Sequence, residues 1–321
     1  MDKKDLRIVF FGTPEFAVES LKALVDGGYN VVGVVTVPDK PAGRGRHLLE
    51  SDVKQYAVSQ GLHVMQPVKL KDEAFVNELR SLDAHLFIVI AFRMLPEVVW
   101  GMPPMGTFNL HASLLPKYRG AAPINWAVMN GDKTTGVTTF FLKHEIDTGD
   151  VIEQRSIEIG RKDNVGVVYD RLMTLGASMV LNTVDNIVAG EVKPIPQDEM
   201  LTAGEEPTPA PKIFKETCCI DWTRSAEDIY NHVRGLSPYP AAWTTLVDAD
   251  GNENTIKVYE TGEPEAAQGL VPGTIKADGK TMRVACADGW LQIVSLQLAG
   301  KKRMDADAFM RGFSLEGKKM A

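Results

Sequence analysis

Three stretches constrain the fold of this chain more than any others: LRIVFFGT at 6–13, YNVVGVVTV at 29–37 and AHLFIVIAF at 84–92. Each is apolar on nearly consecutive residues rather than on alternate ones. Successive side chains of a strand point to opposite faces, so such strands must be covered on both sides. The segments between them carry helix punctuation. PEFAVESLKALVDGG opens on Pro14 and closes on Gly27 and Gly28, as helices do. SDVKQYAVSQG at 51–61 and KDEAFVNELRSL at 71–82 read as two more helices. This alternation predicts an α/β domain, a Rossmann-like, mostly parallel sheet covered by helices. TFNLH at 107–111, TTGVTTFFL at 134–142 and DVIEQRSIEI at 150–159 extend the sheet, and 163–190 reads as one long helix.

At 321 residues the chain is longer than one ordinary core of about 100 to 200 residues, which predicts two domains. Residues 1–190 form the first. The segment 191–217, EVKPIPQDEMLTAGEEPTPAPKIFKET, loses all periodicity and reads by composition as a linker. Residues 218–321 hold a short helix and then short β runs with Asp-Gly turns, which predicts a small OB-like β-barrel.

The N-terminus runs from charge directly into a strand, without a secretory leader, and a cytoplasmic protein that does not enter a membrane is expected. Cys218, Cys219 and Cys286 lack metal-ligand spacing and read as reduced packing residues. A net charge of −7 argues against nucleic-acid binding over the whole surface, because phosphate attraction needs a basic footprint. Local basic patches remain: Lys40, Arg44, Arg46 and His47; Lys117 and Arg119; and Lys301, Lys302 and Arg303. The first lies in VPDKPAGRGRHLL, where Pro38, Pro41, Gly43 and Gly45 predict an irregular loop.

The first strand ends in FFGTPEF, which lacks the dinucleotide fingerprint, and no phosphate-binding Walker loop occurs, so neither NAD nor ATP is indicated. Polar chemistry gathers instead in TFNLHASLLPKYRGAAP at 107–123. In a strand, Asn109 and His111 present a hydrogen-bond donor and a titratable base to one pocket. A second polar island, HEIDTGDVI at 144–152, is either an ordinary turn or the source of a carboxylate, Asp147, for His111. Together Asn109, His111 and Asp147 suit acyl transfer to an amine: an oxyanion donor, a base and its support.

NLHASLLPKYRGAAPINWAVMNGD and EIDTGDVI resemble the signatures of the folate-dependent formyltransferases. PDKPAGRG at 38–45 and RGLSPYPAAW at 234–243 extend the resemblance over the whole chain and narrow it to the members acting on methionyl-tRNA. The resemblance implies catalytic Asn109, His111 and Asp147, a folate-site loop at Ser113, Leu114, Leu115 and Pro116, and tRNA contacts from Lys40, Arg44 and Arg46. It also implies 10-formyltetrahydrofolate as donor, the amino group of methionine on initiator tRNA as acceptor and a role in translation initiation; no metal and a monomer are expected. The chain departs from the pattern at AFRMLP, where Phe92 and Arg93 replace the usual Tyr-Gly, and at Glu145-Ile146. Two alternatives stand beside this reading: a formyltransferase for a small amine, such as glycinamide ribonucleotide or an amino sugar, and a noncatalytic RNA-binding protein.

Overall fold

The computed structural model describes residues 2–42, 47–201, 204 and 206–321. These form two compact units. One comprises Met1–Gly120, Gly136–Ile157 and Tyr169–Pro209, and the other Ala121–Thr135, Glu158–Val168 and Ala210–Ala321.

Among the described residues the first unit is built on a seven-stranded sheet. Its order is Val151–Glu158, Thr134–Phe141, Thr107–His111, Leu86–Ile90, Arg7–Gly12, Asn30–Val35 and Val64–Met65. The last five of these run parallel, and Thr134–Phe141 pairs antiparallel with Thr107–His111. Arg7–Gly12 and Leu86–Ile90 are buried throughout, apart from a half-buried Arg7, which is why their sequences are apolar without alternation. From Arg7–Gly12 the chain winds first toward Asn30–Val35 and then back to Leu86–Ile90. The strand order reverses between these central strands, and a crevice opens beyond their carboxyl ends at such a reversal. Gly12 serves this architecture: a Cβ there would lie 2.7 Å from the Cβ of Ala17 in the helix Glu15–Asp26.

The helices Asp52–Ser59 and Glu73–Ser81 are capped by Ser51 and Asp72, whose side chains accept from backbone amides of the first turn. The basic segment is not wholly irregular. Lys40–Ala42 and His47–Leu49 pair as an antiparallel ribbon, Lys40 opposite Leu49. Pro41 is compatible with this because a two-stranded ribbon has free edges where a missing N–H costs nothing. The long helix Val165–Ala189 is apolar and long enough, by length and composition, to cross a membrane. Leu172, Met179, Val180 and Val184 are nevertheless fully buried, and Gly176 packs directly against Leu110 of the sheet.

In the second unit Ile275–Ala277, Met282–Ala285, Gly289–Leu298, Glu253–Thr261, Ala242–Val247 and Lys319–Met320 follow one another across an antiparallel sheet. A bridge between Thr274 and Lys319 joins its two ends, closing the sheet into a barrel. Burial alternates along Ala242–Val247 and much of Gly289–Leu298, and the inward residues meet Trp222, Ile229 and Phe309 in one core. Cys218 and Cys286 are buried and unbridged, and burial pushes the Cys286 thiol up to about 12.

His232, on the helix Ala226–Leu236, is buried with neither ring nitrogen hydrogen-bonded. Burial lowers its pKa from 6.5 to about 4. The folded state therefore keeps it neutral where the unfolded chain takes up a proton. Its contribution to stability is complete above about pH 6.5 and is lost as pH falls toward 4, a loss of about 3 kcal/mol at 1.36 kcal/mol per unit. Thermal melts between pH 7 and pH 4 are expected to show this decline, and His232→Leu is expected to flatten it. An unchanged acid slope in the variant would refute the assignment.

Candidate active site

Asn109 and His111 lie on Thr107–His111, whose neighbours pin it on both sides: Ile90 pairs with Leu110 and Thr138 with His111. Leu110 and Phe108 are buried on the opposite face, Leu110 beneath Gly176. The alternation that sends these two into the core sends Asn109 and His111 to the other side.

The His111 ring is held from both edges. Its Nε2 lies 2.8 Å from the carbonyl oxygen of Tyr118, and because a carbonyl only accepts, Nε2 carries the proton. That leaves Nδ1 as the basic nitrogen, 3.9 Å from Oδ2 of Asp147. The two side chains are 8% and 13% exposed, so the carboxylate acts on the ring with less solvent screening than a surface pair. Asp147 Oδ2 also accepts the Gly120 N–H at 2.9 Å. Tyr118 and Asp147 both adopt left-handed backbone conformations, φ +63° and +56°, which for a tyrosine is a strained choice. Half-buried Asn109 forms no side-chain hydrogen bond to another described residue, and its amide is free to donate.

The rest of the Asp147 loop is turn chemistry. The Thr148 hydroxyl donates to the Glu145 carbonyl, and Asp150 pairs with Lys143 at 2.6 Å. At Gly149 a Cβ would fall 1.6 Å from the Phe141 carbonyl oxygen, so only glycine lets the loop lie against the strand end. Glu145 and Ile146 are exposed.

Ser113–Pro116 faces inward. The Ser113 hydroxyl donates to the Lys117 carbonyl at 2.6 Å, and the Leu115 amide and carbonyl bond Thr138 and Gln154. Leu115 packs with Phe140 and Val151. These residues shape the turn that delivers Tyr118 and Gly120; Leu114 alone is half-buried rather than buried.

Gln197 is a site neighbour that composition concealed, since it lies in the stretch read as linker. It is 2% exposed. Its amide donates to the carbonyls of Asp147 and Gly149, both at 2.8 Å, and its oxygen accepts Nε and Nη2 of Arg119. Arg119 is thus engaged internally rather than free in a basic patch. A lone Gln between prolines carries no local periodicity to reveal this. Arg303 is likewise engaged, bonding Ser295 and lying over the Tyr259 ring.

One residue beyond the Ile90–Leu110 pair stands Ala91, level with His111, with φ +47°. Phe92 then packs edge-on to Phe11, while Arg93 donates to the carbonyls of Pro67 and Val68. The departure from glycine thus ties two loops together. Beside them Leu70, Lys71, Met94, Leu95, Pro96, Glu97 and Val98 line a cleft of about 530 Å³, within the usual range for small-molecule sites. Lys40 is exposed on the ribbon, whereas Arg44 and Arg46 lie outside the described residues. Among the other histidines, His85 accepts the Arg7 amide and His63 pairs with Glu78. No cluster of metal-ligating side chains occurs among the described residues.

Residues 6–184 match the formyl transferase family and residues 212–314 the formyl transferase C-terminal domain. Over 98% of this chain and 97% of the relative, the sequence is 60% identical to a methionyl-tRNA formyltransferase of Bacteroides fragilis. It is 62% identical to that of Phocaeicola vulgatus over the same shares, and 50% identical to that of Porphyromonas gingivalis over 98% of both chains. Among solved structures, the N-formyltransferase of Helicobacter canadensis, complexed with folinic acid and dTDP-3-aminofucose, superposes with a TM-score of 0.67 at 17% identity, over 93% of this chain and 100% of that one. HypX of Aquifex aeolicus with tetrahydrofolic acid gives 0.62 at 20%, over 97% of this chain and 48% of that one. These two likenesses concern the fold; the sequence identities, sustained over almost the whole of each relative, place the chain in the methionyl-tRNA formyltransferase family.

Proposed function

We propose that the chain transfers the formyl group of 10-formyltetrahydrofolate to the amino group of methionine on initiator methionyl-tRNA, for translation initiation. The observation that carries the mechanism is the basic Nδ1 of His111 turned toward Asp147 on the same side of the strand as an unengaged Asn109 amide. The neutral amine adds to the formyl carbon, and its N–C bond forms as the carbonyl becomes tetrahedral. Asn109 donates to the developing oxyanion. His111 Nδ1 takes the proton released by the attacking nitrogen, and Asp147 stabilises the imidazolium. Collapse breaks the bond to N10 of the folate, which leaves with a proton returned by His111. No protein nucleophile takes part, in keeping with the buried and engaged Ser113 hydroxyl.

The folate fits the crevice beyond the central strands. The apolar wall of Leu70, Met94, Leu95 and Val98 suits aromatic rings, and Lys71 suits a carboxylate tail. Ser113–Pro116, the turn that follows the strand of His111, borders the folate in this reading. In this proposal residues 1–190 are the catalytic part, 191–217 connect while lending Gln197 to the site, and 218–321 hold the tRNA backbone; the protein works as a cytoplasmic monomer. The decisive assay offers 10-formyltetrahydrofolate with charged initiator tRNA, glycinamide ribonucleotide or an amino-sugar nucleotide. Formylation of the tRNA is expected, and preference for either small amine would overturn the assignment.

The ribbon supports an RNA acceptor. Leu48 and Leu49 are 63% and 64% exposed beside Lys40, and the sequence adds Arg44 and Arg46 between the paired strands. Guanidinium groups offer bidentate contacts to phosphates or base edges. The Arg44→Ala, Arg46→Ala double variant is expected to lose most activity on charged tRNA while keeping its affinity for folate. Its tRNA binding should fall less steeply with salt, since fewer counterions are released. Titrations of both proteins across a salt series test this, and identical slopes and affinities would exclude the ribbon.

A further inference from the structure

We propose that Gln197 is a positioning residue for formyl transfer, acting through Asp147 and through the Tyr118–Gly120 backbone that holds His111. The inference rests on the catalytic reading of Asp147 given above. Asp147 occupies a left-handed backbone conformation, φ +56°, in a loop whose neighbours Glu145 and Ile146 are exposed. Such a loop needs an external tie to stay in one geometry. Gln197 provides it at the catalytic residue and just after it, its two N–H groups reaching the carbonyls of Asp147 and Gly149 at 2.8 Å each. Those are the two amide hydrogens that a glutamine has to give.

The remaining oxygen of Gln197 receives Nε and Nη2 of Arg119 at 3.0 and 2.8 Å. Arg119 lies between Tyr118, whose carbonyl accepts His111 Nε2–H, and Gly120, whose amide binds Asp147 Oδ2. One buried carboxamide therefore joins the segment that orients the base to the loop that carries its carboxylate. Gln197 itself is anchored beside the sheet: Ile195 bridges to Val151 through two backbone hydrogen bonds, and Met200 packs on the Leu115–Phe140–Val151 cluster. A segment that looks like a connector thus sets the distance between Nδ1 and Oδ2. Because catalytic geometry tolerates little displacement, slack of about 1 Å costs on the order of 100-fold in rate.

The test is a cycle of Gln197→Met and Asp147→Asn, singly and together, in the full-length protein with charged tRNA and 10-formyltetrahydrofolate. Gln197→Met is expected to lower kcat by about 10- to 100-fold while KM for both substrates changes by only a few-fold. In the Asp147→Asn background the same change should cost about threefold or less, since the residue it positions no longer carries charge. Gln197→Glu keeps the size and the Arg119 contact but sets an acceptor oxygen against both carbonyls; with the Arg119 guanidinium beside it to offset the charge, it should stay folded, though with a lower melting temperature, and lose kcat, and it also serves if the methionine variant folds poorly. Independent, multiplicative losses from Gln197 and Asp147 would overturn the positioning role and leave the catalytic reading standing. So would a kcat for Gln197→Glu within about twofold of the parent. An Asp147→Asn enzyme as fast as the parent would instead overturn the catalytic reading, and this proposal with it.

Discussion

His111→Ala is expected to lower kcat by about 100- to 10,000-fold, the usual worth of a positioned general base. The expectation follows from the assignment of its two nitrogens. Nε2 donates to the Tyr118 carbonyl, so it cannot also accept, and the proton of the attacking amine can go only to Nδ1, the nitrogen that faces Asp147. Folate affinity should hardly change, because the proposed donor cleft is lined by residues 70–71 and 94–98. Alanine also removes the bond to Tyr118, so His111→Gln is the informative companion. Its amide can still donate to that carbonyl, but it has no basic nitrogen, and it should be nearly as slow as the alanine variant. A glutamine enzyme within a few-fold of the parent in single-turnover rate would make His111 a structural support for the Tyr118 turn.

Asn109→Ala is expected to lower kcat by about 100- to 1,000-fold, equivalent to about 2.7–4 kcal/mol, the measured range for removal of one oxyanion donor. The half-buried amide makes no other side-chain hydrogen bond to a described residue, so its loss should leave thermal stability nearly unchanged. The loss should appear in kcat and in kcat/KM alike, the mark of an interaction made only in the transition state. An unchanged kcat would transfer the oxyanion role to backbone amides.

What the amino-acid sequence determined on its own is whatever depends on neighbours within a few residues. The unbroken apolar character of Leu86–Ile90 announces a strand covered on both faces, and the spacing of Asn109 and His111 places them on one side of theirs, because side-chain direction follows from backbone repeat alone. The caps at Ser51 and Asp72 are similarly local. The family signatures, which pair Asp147 with the Asn-His strand, were legible as pattern.

Tertiary structure decided the remainder. Which nitrogen of His111 is basic depends on the Tyr118 carbonyl, brought round by a turn, Ser113 to Pro116, whose residues are buried apart from a half-buried Leu114. Arg119 reads as a surface cation in the sequence and is engaged by Gln197 in the fold. The stretch around Gln197 reads as a connector, since proline, acid and threonine carry no periodicity, yet its position beside Val151 makes it part of the site. Likewise Ala121–Thr135 and Glu158–Val168 lie among the catalytic segments in sequence but join the barrel unit in space. Contacts of this kind form between residues far apart along the chain, where no local repeat records the partner; they exist only once the sheet has fixed which loops emerge side by side.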